Sequence, residues 1–115
     1  MTFWVANWLR AFGLTLLVEL AIALPLLAPT EPRLWRRASV VVVVNLATHP
    51  LVWFLFPGLA VGAGTRVALS EAWAVIAELA IYRLVWPALS LRRATVVALA
   101  ANAASLVAGL VWPRR

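Results

Sequence analysis

The chain has 115 residues, 65% of them hydrophobic and 12% charged, against roughly 45–50% and 25% in a soluble globular chain. Its net charge is +6, every basic residue other than the one histidine is an arginine, and it has no cysteine, which excludes disulfides and thiolate metal sites. The arginines fall at the ends of apolar runs, where they read as flanking topogenic charge and not as a nucleic-acid surface.

Several apolar runs are long enough to cross a hydrocarbon core about 30 Å thick, which takes around 20 helical residues. The sequence therefore predicts one all-α domain, 1–115, a polytopic integral membrane protein with the lipid bilayer as its first partner. The first segment runs from Phe3 to Leu27, with Phe3, Trp4, Trp8 and Arg10 as an interfacial anchor and Glu19 near the middle of the span. It does not read as a cleaved signal peptide, because Arg10 comes late, Glu19 interrupts the apolar stretch and Pro25 follows. Pro25, Pro29 and Pro32 break the helix and make a short, stiff connection over Ala28 to Pro32.

The second segment, Leu34 to Phe56, enters through Trp35, Arg36 and Arg37 and contains five consecutive valines. Valine favours a strand in water, but an isolated strand in lipid leaves its backbone groups unpaired, so helix is expected. Pro57-Gly58 ends it, and Gly58, Gly62 and Gly64 make a loose turn. The third segment, Thr65 to Trp86, carries Glu71, Glu78, Tyr82 and Arg83. Pro87 and Ser90 mark the next turn, and the fourth segment runs from Leu91 to Trp112, with Arg92 and Arg93 at its start and Pro113-Arg114-Arg115 after it. Four helices with short loops predict an antiparallel up-down bundle. Six arginines flank the first and third connections and at most four the other side, which puts both termini outside the cytoplasm.

Every span carries polar residues, and their depths match. Counted from the side of the first and third connections, Glu19, Asn45, Glu78 and Asn102 lie about ten to twelve residues in, a layer about 15–18 Å deep at 1.5 Å per residue. His49, Glu71 and Ser105 form a second layer about one turn nearer the other surface. Asn45, Thr48 and His49 share a helix face, as do Glu71 and Glu78 with Tyr82 one turn on. On the fourth segment Ala98, Asn102 and Ser105 share a face, and Ala101, Ser105 and Gly109 form a small-xxx-small row that predicts a helix–helix seam. Pro50 has no N–H to return to the carbonyl of Leu46, which predicts a kink beside His49.

Ionisable groups inside a span are costly and mark function by default. The expected working cluster is His49, Glu71 and Glu78, with Glu19, Asn45 and Asn102 around it and Thr48, Pro50, Tyr82 and Ser105 supporting, as a site that binds or relays a proton or small cation. The alternative is an accessory subunit of a larger membrane complex, its polar residues acting as glue between helices. No resident cofactor is expected; a divalent cation on His49, Glu71, Glu78 and Glu19 is the one metal option, and it lacks the Glu-x-x-His pairs of di-iron bundles. Enzyme motifs are absent, and Ser70 or Ser105 beside His49 would be needed for hydrolase chemistry. Arg66 with Ser70, and Tyr82 with Arg83, read as interfacial snorkelling groups. A chain this small encloses little volume, so it is expected to work as a homo-oligomer or within a larger complex.

Overall fold

The computed structural model describes residues 3–111. The described residues form four long helices: α1 Phe3–Leu27, α2 Leu34–Pro50, α3 Ala63–Val85 and α4 Leu91–Val111. Trp112 to Arg115, where the fourth segment was expected to end, lie outside the described residues. Three stretches are long and apolar enough to cross a membrane: Phe3–Leu27, Leu34–Gly58 and Leu91–Val111. α3 is comparable in length at 23 residues, but Arg66, Glu71, Glu78 and Arg83 dilute its apolar content.

The valine run is helical, as expected. Pro50 leaves its mark as a change of helix type. Leu51 N–H turns back to the carbonyl of Thr48, Leu51–Leu55 makes a π-helical turn, and Phe56–Gly58 makes a 3₁₀ turn. The missing proline donor releases the i−4 ladder, and the wider turn absorbs the slip. α3 starts at Ala63, two residues before the expected Thr65, because Gly62 in extended conformation already begins the helix. Arg66 stays with this turn, donating to the carbonyls of Leu59 and Val61 at 3.1 Å each.

α1 packs against α2 and α4, and α3 against α2 and α4, so each helix has two principal neighbours. The α1–α2 and α3–α4 connections meet at one end, where Trp86 Nε1 donates to Glu31 Oε1 at 3.4 Å. Pro25 lies inside the last turn of α1 instead of ending it. Ala28 N–H then reaches back only to Pro25, leaving the carbonyl of Leu24 open, and Arg37 fills it with an Nη1–O contact of 2.5 Å. Ser90 caps α4 by accepting from the N–H of Arg93 at 3.1 Å.

The half of the molecule nearest these connections has an apolar interior of Leu27, Val41, Val44, Tyr82, Leu89 and Val97. Beyond it the usual arrangement is inverted. The inward stripe of α3 is Ser70, Ala74, Glu78 and Tyr82, while Val67, Ile76 and Leu84 face outward. Leu17, Val43, Leu46, Leu99 and Val107 are likewise exposed, and Glu19, Asn45, Thr48 and Asn102 are buried. The expected seam along α4 is shifted. Ala94, Ala98 and Ala101 make its buried face, whereas a Cβ on Gly109 would meet nothing within 4 Å. Close approach therefore occurs in the first three turns of α4, where α1 crosses it.

Candidate functional site

Four helices each send one polar side chain to a common point. Glu19 of α1 and Glu78 of α3 are 2% and 1% exposed, and their carboxyls adjoin. Asn45 on α2, Glu78 on α3 and Ser105 on α4 adjoin the Glu19 carboxyl. Asn102 Nδ2 donates to Glu78 Oε2 and also to the carbonyl of Ala98 at 2.8 Å. Asn45 Nδ2 donates to the carbonyl of Val41 at 2.8 Å, which fixes its amide and leaves its oxygen to the interior. The deeper layer of the sequence reading is thus brought together: Glu19, Asn45, Glu78 and Asn102.

No arginine among the described residues reaches this pair, since their ion pairs are those of Glu31. Taken as two carboxylates, Glu19 Oε2 and Glu78 Oε1 are enclosed without a donor. Tyr82, one turn below Glu78, is fully buried and stacked 6.1 Å from Trp86, and its hydroxyl also has no hydrogen bond. The interfacial snorkelling role expected of Tyr82 is therefore not what the structure shows. Thr48 and Ser105 turn their hydroxyls back to their own helices, to Val44 at 3.1 Å and Asn102 at 3.1 Å.

The second layer is dispersed. His49 Nδ1 accepts from Trp8 Nε1 at 3.0 Å, and its ring lies against Phe12 at 5.5 Å and Trp53 at 6.4 Å. Trp4 on Trp53 and Trp8 on Phe54 extend the aromatic cluster. The structure does not bring His49 to Glu71 or Glu78. Four residues along a helix advance a side chain about 40° past a full turn, and on α2 that rotation carries position 49 from the Asn45 face onto α1. Neither Ser70 nor Ser105 is hydrogen-bonded to His49, so the pairing a hydrolase needs is not formed.

Glu71 is half-buried on the wall of an open groove of about 460 Å³ between α3 and α4, a groove that Asn102 also lines. Among the described residues no three histidine or carboxylate groups come close enough together to hold a metal ion.

One organising carboxylate escaped the sequence reading. Glu31, in the α1–α2 connection, pairs with Arg33 at 3.1 Å and Arg36 at 2.9 Å and accepts from Trp86. The hydrogen bond from Arg33 holds its carboxyl far below the ordinary range, at about 2. Its signal was an acid followed within six positions by Arg33, Arg36 and Arg37 in a proline-bounded turn.

No family model, curated protein or solved structure matches the chain.

Proposed function

We propose that this chain is a multi-pass integral membrane protein, an antiparallel four-helix transmembrane bundle with both termini outside the cytoplasm, that relays a proton or small cation through the Glu19–Glu78 pair. The inverted distribution of polarity supports the membrane setting, because exposed Leu, Val and Ile around a polar interior suits lipid and not water. α3 spans with the others: its ionisable Glu78 is masked by α1 and α4, and Arg66 and Arg83 stand near its ends. The arginine excess at the Glu31 end makes that end cytoplasmic.

The carboxyl pair carries the functional reading. Two adjoining carboxyls in a dry interior, with no arginine beside them among the described residues, repel each other unless at least one proton lies between them. A proton so shared supplies the donor that Glu19 Oε2 and Glu78 Oε1 lack, and a small cation entering the pair would replace it. Asn45 and Asn102 position the two acids, Tyr82 closes the path on the cytoplasmic side, and Glu71 stands nearer the other surface. Assembly as a homo-oligomer would provide the remaining walls of a path.

A second reading keeps the same residues as glue in a subunit of a larger complex. The Asn102–Glu78 bond, which ties α4 to α3, favours it. Proton flux into liposomes separates the two. The relay predicts flux in the wild type that disappears in both Glu19→Gln and Glu78→Gln; folded protein with no flux in any sample removes the relay and leaves the glue.

A further inference from the structure

The groove between α3 and α4 opens on the outer face of the helices, bounded by Val75 and Ile76 on one side and Leu99 and Ala103 on the other. Ile76 and Leu99 are among the exposed large apolar residues, so on the membrane reading the groove faces lipid. Two polar residues stand on its wall. Asn102 is buried and already donates to Glu78. The Glu71 carboxyl has neither a hydrogen bond nor an ion pair among the described residues, and it lies in the electrostatic neighbourhood of Glu19 and Glu78. Behind the groove, Glu78 Oε1 and Glu19 Oε2 are enclosed and unpartnered.

An apolar cleft ending in an unpaired acid has a narrow set of complementary occupants. An acyl chain fills the cleft but leaves the carboxyl unanswered. An anion meets the Glu71 carboxyl and, among the described lining residues, no arginine. A second copy docked by a two-fold axis on this groove would set Glu71 against Glu71. A cation with an apolar body satisfies both halves, burying its hydrocarbon on Val75, Ile76, Leu99 and Ala103 and pairing its charge with Glu71.

We infer that the α3–α4 groove is a lateral binding site for a lipophilic organic cation, such as a protonated or quaternary amine, entering from the bilayer and held by Glu71. The inference rests on the membrane reading and deepens the relay: a cation arriving at Glu71 is one residue, Asn102, away from the Glu19–Glu78 pair.

The test is binding of tetraphenylphosphonium to the purified full chain in lipid nanodiscs, beside uncharged triphenylphosphine oxide. Saturable phosphonium binding is expected, with the neutral analogue at least about tenfold weaker, the loss expected when a desolvated charge pair is missing. Glu71→Gln, which keeps shape and removes charge, is expected to weaken the phosphonium by about tenfold or more. Ala103→Trp, filling the groove from α4, is expected to do the same with helicity unchanged. Trp53→Leu, in the aromatic cluster elsewhere, is expected to leave affinity within about twofold, since nothing joins it to the groove.

Equal binding of the neutral analogue makes this a lipid cleft and overturns the inference. So does binding that survives Glu71→Gln, or that is lost in Trp53→Leu, which would place the cation on the aromatic rings. Flux measured on the same purified protein reconstituted into liposomes keeps the two readings apart. Flux without phosphonium binding overturns the groove and leaves the relay; binding lost in Glu71→Gln without flux upholds the groove and removes the relay.

Discussion

Glu78→Gln separates a relay from a structural bond because it removes the titrating group and keeps the hydrogen bonds. In the wild type Glu78 accepts from Asn102 on one oxygen, and its other oxygen, like Glu19 Oε2, has no donor. Glutamine has the same shape. Its carbonyl still accepts from Asn102, and its NH₂ points at the Glu19 carboxyl, taking the place of the shared proton. Interhelical hydrogen bonds in membrane proteins contribute about 0.6–2 kcal/mol, and the variant keeps them. The expected result is a variant within about 1 kcal/mol of wild type in stability, with flux at background. Glu78→Ala, which strands Asn102 without its acceptor, is expected to lose about 1–3 kcal/mol. Stability is read by SDS titration of the seven tryptophans' fluorescence, and flux on the same liposome preparations. Glu78→Gln that is less stable than wild type by more than about 1 kcal/mol, with undiminished flux, would refute the reasoning, because the carboxylate would then be needed for packing and not for transfer.

Tyr82→Phe tests whether the buried hydroxyl is unpaired: it is expected to be neutral or stabilising by up to about 1 kcal/mol, whereas Tyr82→Ala should cost about 3–5 kcal/mol by opening a cavity against Trp86 and Leu27. Glu31 predicts acid lability at the end where the α1–α2 and α3–α4 connections meet. Its carboxyl titrates near 2 when folded and near the ordinary 4.5 when unfolded, so its contribution is complete above about pH 4.5 and lost as pH falls towards 2. Glu31→Gln should flatten the stability–pH curve in that window while leaving neutral-pH helicity intact, as read by circular dichroism. Gly109→Ala, at a position with open space around it, is expected to stabilise α4 by about 0.5–1 kcal/mol; a loss in the SDS titration would mean that a neighbour packs on that glycine after all.

Composition and spacing by themselves determined the helices and the deeper polar layer. An apolar run flanked by arginines and closed by proline can only be a helix if it lies in lipid, so α1 and the starts of α2 and α4 were legible, the five valines included, though not the change of helix type after Pro50. Equal counting from the turns put Glu19, Asn45, Glu78 and Asn102 at one depth, because rise per residue is the same in every helix, and these four do meet. Depth, however, says nothing about azimuth. Rotation of α2 about its axis sent His49 to Trp8 and the aromatic rings, away from Glu71, although both lie at the depth predicted for one cluster. Helix rotation depends on which faces pack, and four nearly uniform apolar surfaces leave that undetermined until they are docked together. The same docking made Ala94, Ala98 and Ala101 the close seam in place of Ser105 and Gly109, and buried Tyr82, which spacing alone left at the interface. It also joined Glu31 to Trp86 across 55 positions, a contact for which a one-dimensional pattern has no signal, and left a cleft between α3 and α4 with Glu71 on its wall.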